Sequence, residues 1–231
     1  MPTSKSGVLS SALRSRHHVT AILVVHNGAE WLPEVVVALT SQKHAIDNLI
    51  AVDTGSTDKS LQYLKKAGIK YLQAPSDTGF GAAIARRFGS SGFDLILTGR
   101  RGERLAELKK ELEAAHPALR VMTCCFDIRN KEACIAAIDS LSDEWKSIDI
   151  LVNNAGLAAG RDFFDEASID DWDTMIDTNI KGLLYLSKAV IPLMTKRAFG
   201  HIINMGSIAG KEVYEKGNVY CATKYAVDAI S

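Results

Sequence analysis

The chain has 231 residues, 47% of them hydrophobic, and a mean hydropathy of +0.02, which is typical of a water-soluble folded protein. Its 27 basic and 27 acidic residues balance, and no basic stripe occurs locally, so nucleic acid and anionic membrane surfaces are not expected partners. No apolar run reaches the ~18 residues that a membrane-spanning helix needs.

The cysteine and histidine patterns encode neither a disulfide framework nor a metal site. The four cysteines lack C-x-x-C spacing and the six histidines form no cluster with them, so we expect reduced thiols, no bound metal and a cytoplasmic protein. Residues 1–18 carry three lysines or arginines and no acid, yet they lack the sustained apolar core of a signal peptide. We interpret this segment as a flexible tail, with a targeting leader as the alternative.

Short β-rich runs alternate with amphipathic stretches along the rest of the chain. Each run is almost continuously apolar, which is typical of parallel strands covered on both faces. In the stretch 102–116, Leu105, Leu108 and Leu112 lie on one helical face. This alternation predicts an α/β fold with a doubly wound, Rossmann-like parallel sheet and ligands at the carboxyl ends of its strands. The predicted strands are residues 19–26, 48–53, 69–74, 93–99, 119–127, 148–154 and 201–207.

A polar cluster follows one predicted strand in the sequence ILVNNAG. Its members are Asn153, Asn154, Ala155 and Gly156. Two adjacent amides and a glycine at a strand end can fix the neighbouring backbone and leave room for a flat ligand. An ordinary polar turn is the alternative interpretation.

Three side chains further along can support proton transfer. Ser207 follows a predicted strand, while Tyr220 and Lys224 stand four residues apart and therefore share one helix face. A nearby ammonium favours the phenolate and moves the phenol pKa down from ~10. Ser207 can hydrogen-bond the oxygen of a carbonyl or carbinol while Tyr220 passes the proton. Taken singly, these residues are equally explained as a surface pair and a turn.

These motifs, together with TGFGAAIARRF, DLILTGRR and TNIKG, resemble the short-chain dehydrogenase/reductase family over about residues 79–231. Twelve residues separate Ser207 from Tyr220 and three separate Tyr220 from Lys224, which is the Ser-Tyr-Lys spacing of that family. The resemblance implies a carbonyl or alcohol substrate, with Tyr220 as general acid/base and Ser207 orienting the substrate oxygen. It implies that Lys224 holds the nicotinamide ribose and lowers the tyrosine pKa, and that Asn179 ties a water chain to Lys224.

The same resemblance implies a nicotinamide cofactor along the strand ends. Where an NAD enzyme would show an acid after the second strand, this chain has Arg100 and Arg101. Paired guanidiniums suit a 2′-phosphate, so NADP is favoured over NAD. Arginines that face solvent at a helix start are the alternative. The other cofactor positions implied are Gly79, Phe80, Gly81, Asp127 beside the adenine, Asn153 on the adenosine side, Ala155, Gly156, Tyr220 and Lys224.

The first glycine-rich loop departs from the family pattern T-G-x-x-x-G-x-G. Residues 74–81 read APSDTGFG, so Gly79 and Gly81 keep the later glycines. Pro75 fixes φ near −65° and removes an N–H group. Asp77 adds negative charge where phosphates would lie. We therefore expect weakened cofactor binding and impaired activity.

The resemblance also ends early at the C-terminus. The sequence stops at Ser231, barely two helical turns beyond Lys224. We therefore expect the last strands and the substrate-covering segment of the family to be missing. This predicts a weakened form of the homo-oligomer found in the family, and it leaves the substrate undefined.

The first part of the chain resembles another family over about residues 19–78. The runs VTAILVVHNGAEWLPEVVVALTSQ and NLIAVDTGSTDKSLQYLKKAG are similar to the opening βαβα unit of a family-2 glycosyltransferase. That resemblance implies that His26 and Asn27 end the first strand. It also implies that Asp53 and Asp58 lie at a nucleotide edge, with Asp53 the base contact.

The residues themselves offer a simpler explanation for Asp58. Thr57 is a natural N-cap, and a carboxylate in the first turn of a helix is favoured by the helix dipole. No D-x-D motif follows before the dehydrogenase-like part begins, so this segment lacks paired carboxylates that could hold a divalent ion against a diphosphate. Transferase activity is therefore not expected.

The chain thus divides into a flexible tail at 1–18, a glycosyltransferase-like segment at 19–78 and a dehydrogenase-like domain at 79–231. Three functions stay open: an NADP-dependent oxidoreductase with impaired activity, a nucleotide-sugar-binding protein, or a non-functional fusion of two truncated families. The fusion could be natural, engineered or artefactual.

The predicted strand 69–74 has two competing places. It can pair beside 48–53, as in a glycosyltransferase, or lie between 93–99 and 148–154, as in a dehydrogenase. We predict the second arrangement, because the dehydrogenase-like part has more strands and a larger core.

Overall fold

A computed structural model describes residues 20–25, 29–30, 32–41, 48–53, 56–73 and 79–231, in which strands and helices alternate. The strands are β1 (Thr20–Val25), β2 (Asn48–Asp53), β3 (Lys70–Gln73), β4 (Leu95–Gly99), β5 (Val121–Cys125), β6 (Ile150–Asn153) and β7 (His201–Asn204). The helices are α1 (Leu32–Thr40), α2 (Ser60–Lys66), α3 (Phe80–Ser90), α4 (Gly102–Ala115), α5 (Lys131–Asp139), α6 (Ile169–Ile176), α7 (Leu183–Lys196) and α8 (Asn218–Ile230). A π-helical turn (Asp177–Gly182) links α6 to α7, and a 3-10 turn (Ile208–Gly210) follows β7.

The seven strands expected from the sequence are confirmed, most of them shorter than predicted, and every described pairing is parallel. The apolar stripe of α4 is confirmed as well. Leu112 is buried, and Leu105 and Leu108 pack beside it against β4 and β5. The fold is therefore α/β, with helices on both faces of parallel strands. In the described part of the chain, no helix is both long and apolar enough to cross a membrane.

The N-terminal strands form a three-stranded sheet in the order β1-β2-β3. Asn48 pairs with Thr20, and Ile50 pairs with Lys70, so β2 is the central strand. One side of this sheet buries a small core of Leu32, Ala51 and Leu64, against which Tyr71 packs. Helices α1 and α2 therefore cover a sheet with a core of its own.

The predicted place of the third strand was wrong. In the structure β3 pairs with β2, in register from Ile50 opposite Lys70 to Asp53 opposite Gln73. The pairing is local, because only α2 and its two connections separate the strands, and a short loop costs less chain entropy to close. It also buries Leu64 of α2 completely. These local gains outweigh the larger core that the other arrangement offers.

The remaining strands form two parallel pairs, β4 with β5 and β6 with β7. A first apolar layer lies under α3 and α4. A second layer lies under α5 and α7. We call them the α3–α4 layer (Ala85, Leu97, Leu112, Leu119 and Val121) and the α5–α7 layer (Ile138, Leu141, Leu151, Leu186, Val190 and Met194). The β4–β5 pair is thus covered on both faces, and the α5–α7 layer also packs on the β6–β7 pair. The carboxyl ends of both pairs carry the polar residues described next.

Candidate active site

Lys224 is a buried ammonium near the start of α8. Only 6% of the residue is exposed, and its Nζ donates a hydrogen bond of 2.8 Å to the carbonyl oxygen of Met205, just after β7. Burial lowers the pKa of Lys224 from its ordinary value, because desolvation disfavours the charged form. One backbone carbonyl thus holds the buried ammonium in place.

Asn179 lies in the π-helical turn and connects two other segments of the chain. Its Oδ1 accepts a 2.9 Å hydrogen bond from the N–H of Leu157, and its Nδ2 donates to the Leu157 oxygen at 2.9 Å. Nδ2 also donates to the buried Thr223 hydroxyl at 3.0 Å. With 2% exposure, Asn179 is a fully satisfied buried amide. It holds the loop after β6 against α8.

Asn179 and Lys224 converge on Gly156, at the end of the polar cluster after β6. A Cβ placed on Gly156 would lie 3.3 Å from Asn179 Oδ1 and 3.5 Å from Lys224 Nζ. The glycine lets the backbone approach both groups closely. The structure therefore brings together the lysine, the asparagine and the glycine that the sequence had marked separately.

Tyr220 lies one turn before Lys224 on α8, as predicted from their spacing. The Lys224 Nζ is 5.9 Å from the centroid of the Tyr220 ring, and Tyr220 is half-buried. At this distance the ammonium is close enough to influence the ring electrostatically. The expected phenol and ammonium are therefore neighbours on one face of the helix.

Ser207 follows β7 and begins the 3-10 turn. Its hydroxyl accepts a 3.2 Å hydrogen bond from the N–H of Ala209, which caps the turn. The turn packs against α8 so closely that a Cβ on Gly210 would lie 2.7 Å from the Lys224 carbonyl oxygen. The segment with the serine and the helix with the tyrosine and lysine are thus held in direct contact.

The side chain of Asn153 forms hydrogen bonds within the fold, at the ends of β6 and β7. It is 4% exposed, and its Nδ2 donates to Ser187 at 2.9 Å and to Asn204 at 2.8 Å. These bonds join the ends of β6 and β7 to α7. Asn153 thus has the first of its two predicted roles, because it braces neighbouring elements of the fold. Its contact with the adenosine side of a cofactor stays a prediction.

The carboxyl ends of β4 and β5 carry an ionic group. Asp127 accepts hydrogen bonds from the Arg129 guanidinium, at 2.7 Å from Nη2 and 3.0 Å from Nε, and Arg100 lies 4.0 Å away. The hydrogen bond from Arg129 is the main reason that the pKa of Asp127 is lowered. Arg101 is exposed at the start of α4. Two guanidinium groups, those of Arg129 and Arg100, therefore lie within 4.0 Å of the Asp127 carboxylate.

The described part of the glycine-rich loop begins α3. Gly79 is the N-cap residue of α3, and Phe80 is 42% exposed. A Cβ on Gly81 would lie 2.8 Å from Asn154 Nδ2, so the Asn154 side chain would have to move to admit one. Residues 74–78, with Pro75 and Asp77, lie outside the described residues.

The glycosyltransferase-like segment places its two aspartates at the carboxyl end of β2 and before α2. Asp53 is fully buried, and its Oδ2 accepts a 3.2 Å hydrogen bond from the N–H of Ser56. Asp58 is exposed and accepts hydrogen bonds from the N–H groups of Ser60 and Ala29, both at 2.9 Å. Hydrogen bonding to Ser60 first, and to Ala29 next, lowers the pKa of Asp58.

These bonds correct the predicted helix cap. Helix α2 starts at Ser60, with Lys59 and not Thr57 at the cap position. The carboxylate of Asp58 accepts a hydrogen bond from the first backbone N–H of the helix, and an N-cap side chain normally supplies such an acceptor. His26 and Asn27 lie outside the described residues.

Sequence reasoning missed three groups in this site. The Thr223 hydroxyl accepts a hydrogen bond from the Asn179 amide. The Met205 carbonyl accepts one from Lys224, and Arg129 donates one to Asp127. Thr223 directly precedes Lys224 in the sequence YCATK, so its position beside the lysine was a signal. A backbone carbonyl leaves no signal in a sequence, because every residue has one.

Comparison with protein families agrees with the geometry of this site. The sequence model of the family described as short chain dehydrogenase matches residues 75–231, which is more than half of the chain. The chain belongs to the short-chain dehydrogenase family. A second model, described as glycosyl transferase family 2, matches residues 20–96, so the two matches overlap at 75–96.

Among curated relatives, the chain is 52% identical over 160 residues to an NADP-dependent 3-hydroxy acid dehydrogenase from Salmonella typhi, covering 69% of this chain and 62% of that protein. It is 45% identical over 148 residues to sulfoacetaldehyde reductase 2 from Chromohalobacter salexigens, covering 64% and 58%. The chain thus spans about three fifths of the length of these relatives.

Solved structures give the same family. The serine dehydrogenase from Escherichia coli is 52% identical, with a TM-score of 0.62 and coverage of 67% of this chain and 69% of that one. The closed form of a serine dehydrogenase complexed with NADP+ is also 52% identical, with a TM-score of 0.61 and coverage of 66% and 60%.

Proposed function

We propose that the chain is an NADP-dependent oxidoreductase of the short-chain dehydrogenase type that interconverts a carbonyl and an alcohol. The observation that carries this proposal is the convergence of Lys224 and Asn179 on Gly156, with Tyr220 one turn away on the same helix. A buried ammonium beside a phenol is suited to proton transfer at an oxygen. Ser207, on the 3-10 turn that packs against that helix, completes the set.

The proton step follows from the position of each side chain. For carbonyl reduction, the Tyr220 phenol donates its proton to the substrate oxygen while Ser207 hydrogen-bonds that oxygen. The positive charge of Lys224 stabilises the phenolate that is left, and alcohol oxidation runs the same steps in reverse. NADPH, when bound, supplies the hydride that reaches the carbonyl carbon.

Two features of the described residues fit a nicotinamide cofactor. A Cβ on Gly81 would lie 2.8 Å from Asn154 Nδ2, and the buried Asn154 Oδ1 accepts no hydrogen bond among the described residues. A buried acceptor without a partner beside a helix N-terminus is suited to a polar ligand at that point. Gly79, Phe80 and Gly81 would line the phosphate side, and Ala155 and Gly156 would lie along the ribose.

The charge at the ends of β4 and β5 supports NADP over NAD. Arg100 and Arg101 directly follow β4, Arg100 and Arg129 lie within 4.0 Å of the Asp127 carboxylate, and a 2′-phosphate is a dianion that guanidinium groups bind well. Asp127 would then lie beside the adenine, held by Arg129. The relative from Salmonella typhi is itself named as NADP-dependent.

The first substrates to test are 3-hydroxy acids and the corresponding oxo acids. The proposal rests on the names of the relatives at 52% identity, a 3-hydroxy acid dehydrogenase and a serine dehydrogenase. Serine is itself a 3-hydroxy acid, so both names point to one chemical class.

The test of this function removes one oxygen atom from the candidate site. Tyr220→Phe keeps the ring but removes the proton donor, so carbonyl reduction should fall at least a hundredfold while NADPH binding stays within twofold. Tyr225→Phe is the matched control, because Tyr225 lies on the same helix and its hydroxyl bonds only to the Lys211 carbonyl among the described residues. Unchanged turnover in Tyr220→Phe contradicts the proposal.

We further propose that residues 74–78 impair this activity. Pro75 and Asp77 replace the first turn of the phosphate loop, and a carboxylate there repels phosphate. Replacing residues 74–78 by Thr-Gly-Ala-Thr-Ser should tighten NADPH binding at least tenfold in a fluorescence titration. An unchanged dissociation constant would show that this loop is not the cause of weak binding.

A second candidate is a fusion of two incomplete family members, in which the 19–78 segment still binds a nucleotide-sugar. The overlap of the two family matches at 75–96 and the pairing of β3 with β2 favour it. Thermal-shift measurements distinguish the candidates. Stabilisation by NADPH alone favours the oxidoreductase, stabilisation by a nucleotide-sugar with manganese favours the second candidate, and no shift with either favours a fusion without function.

A further inference from the structure

Thr223 carries a buried hydroxyl that the proton step described above does not use. It lies between Tyr220 and Lys224 on α8, and the residue is fully buried. A buried hydroxyl is normally hydrogen-bonded, so its partners show which parts of the fold it connects. We call residues 220–224 the Tyr–Lys turn. Thr223 is the member of this turn whose side chain points into the protein with no exposed surface.

The hydroxyl of Thr223 bridges two groups of the candidate active site. Its oxygen accepts a 3.0 Å hydrogen bond from Asn179 Nδ2, and the hydroxyl donates a 2.8 Å hydrogen bond to the carbonyl oxygen of Tyr220. Threonine side chains in helices often bond the carbonyl group of the preceding turn. Here the same hydroxyl also contacts the π-helical turn, 44 residues earlier in the chain. It therefore links that turn to the backbone of Tyr220.

The hydrogen atoms of this network have one consistent arrangement. Asn179 Oδ1 accepts a bond from the N–H of Leu157, whereas a flipped amide would place a second donor against that N–H. The two hydrogens of Nδ2 then go to the Leu157 oxygen and to Thr223. Since the Thr223 oxygen accepts one of them, its own hydrogen goes to Tyr220. Each donor of the two side chains is therefore used once.

The loop after β6 contacts the Tyr–Lys turn at both of its ends. Through Asn179, Leu157 is tied to Thr223 and from there to the carbonyl group of Tyr220. The neighbouring Gly156 lies against the other end, because a Cβ placed on it would be 3.5 Å from Lys224 Nζ. One loop thus holds both the backbone of the phenol and the ammonium that stabilises its phenolate.

The start of α8 is a part of the helix that its own backbone bonds hold weakly. The helix begins at Asn218, so Tyr220 lies in its first turn, where backbone N–H groups have no partner within the helix. The cap residue is Gly217, which has no side chain to accept a bond from them. A tether from outside the helix therefore restrains Tyr220 where the helix alone restrains it least.

We propose that Thr223 is a positioning residue, whose hydroxyl fixes the location of Tyr220 relative to the loop after β6. The proposal rests on the proposed function, in which Tyr220 transfers the proton. Thr223 acts through the Tyr220 carbonyl and the Asn179 amide and does not itself contact the substrate. Reacting atoms must lie about 3–3.5 Å apart, and a displacement of about 1 Å can lower a rate about a hundredfold. Turnover therefore depends on the Thr223 bridge.

Three substitutions separate the hydroxyl from the shape and the stability of the helix. Thr223→Val keeps a branched side chain of similar size and removes both hydrogen bonds. Thr223→Ser keeps the hydroxyl and removes the methyl group. Val227→Ala is the matched control, because Val227 is a buried residue of the same helix whose side chain lies outside the network. It removes packing without touching Asn179 or Tyr220.

Steady-state kinetics with NADP+ and 3-hydroxy acids, and NADPH titrations, are carried out on each full-length protein. Thr223→Val should lower kcat at least tenfold, while KM for the 3-hydroxy acid and Kd for NADPH stay within threefold. Thr223→Ser should keep kcat within threefold of the parent protein. Val227→Ala should keep kcat within twofold, even where urea denaturation shows an equal loss of stability. Such a difference at equal stability is what a purely structural role does not produce.

The other outcomes overturn the role of Thr223. Equal kcat in Thr223→Val and Val227→Ala does so and leaves the proposed function intact. An equal fall of kcat in Thr223→Ser and Thr223→Val shows that the hydroxyl is not the cause. A raised KM with unchanged kcat assigns the residue to substrate binding instead. A parent protein without turnover overturns the proposed function, and the role of Thr223 falls with it.

A further variant covers the case in which Thr223→Val does not fold. Thr223→Cys then takes its place, because a thiol is a small side chain that hydrogen-bonds only weakly. Its kcat should fall at least threefold below that of Thr223→Ser at unchanged KM. Equal kcat in these two variants overturns the proposal.

Discussion

Replacing Gly210 by alanine tests the closest backbone approach in the candidate site. A Cβ at this position would lie 2.7 Å from the Lys224 carbonyl oxygen and 2.9 Å from its carbonyl carbon, whereas ordinary contacts begin at 3.4 Å. The 3-10 turn or α8 must therefore move by several tenths of an ångström. Both neighbours are backbone atoms, so no side-chain rotation can relieve the overlap.

The expected cost follows from two opposing effects. Overpacking of a rigid site costs about 1–3 kcal/mol of the free energy of unfolding. Alanine also lowers the conformational entropy of the unfolded chain. Where the native backbone conformation suits alanine, this effect offsets about 0.4–1 kcal/mol of that cost. We expect Gly210→Ala to destabilise by about 1–2 kcal/mol net.

Gly206→Ala is the matched control. Gly206 lies in the same connection, and a Cβ there meets no atom within 4 Å. This variant should be neutral or stabilise by about 0.5 kcal/mol through the unfolded chain. The two variants should therefore differ by about 2 kcal/mol, which shifts the urea midpoint by about 1 M for an m-value of about 2 kcal/mol/M. Equal midpoints, or a less stable Gly206→Ala, would refute the packing of the 3-10 turn on α8.

Three further predictions concern the polar groups of the site. Asn179→Ala removes the three hydrogen bonds of a buried amide and should lower the free energy of unfolding by about 2–4 kcal/mol in urea denaturation. The control Asn130→Ala removes an exposed helix cap and should cost about 1 kcal/mol. Equal costs contradict the bracing role of Asn179. Because burial lowers the pKa of Lys224 below its ordinary 10.5, the protonated form opposes folding, and its cost is relieved as pH rises through the folded pKa toward 10.5. Lys224→Met should therefore exceed the parent protein in stability at pH 7, with an advantage that shrinks toward pH 10 in thermal denaturation; a constant difference contradicts it. Arg129→Ala removes the main partner of Asp127, so Asp127 then pairs with Arg100, which is less available to a 2′-phosphate. The preference for NADPH over NADH should therefore fall several-fold in binding titrations, and an unchanged ratio would show that the Arg129–Asp127 pair has no part in cofactor choice.

Local patterns predicted the elements well because they depend on short-range rules. Continuous apolar runs identified the seven strands found among the described residues, and a period of three to four residues identified the buried face of α4. The spacing of Tyr220 and Lys224 was enough to place them one turn apart on a helix. Each of these inferences needs only the residues within one element.

Long-range choices could not be predicted in the same way. The place of β3 depends on a choice between partners in different parts of the chain, and the pattern of four residues does not decide it; the structure pairs them with β2. The cap of α2 was assigned to Thr57 because its residue type is favoured there, whereas the structure uses the carboxylate of Asp58. The role of Asn153 stayed ambiguous because its partners, Ser187 and Asn204, are distant in sequence.

The order in which the chain is synthesised gives the β2–β3 pairing a kinetic consequence. β1, β2 and β3 leave the ribosome before β4 and β6 exist, so β3 meets β2 as its first available partner. Their contacts are also closer along the chain than a pairing of β3 with β6, and local contacts form faster. The N-terminal sheet, in the first third of the chain, is therefore expected to pair the strand during translation. Protein refolded from denaturant, in which all strands compete at once, need not start from the same arrangement.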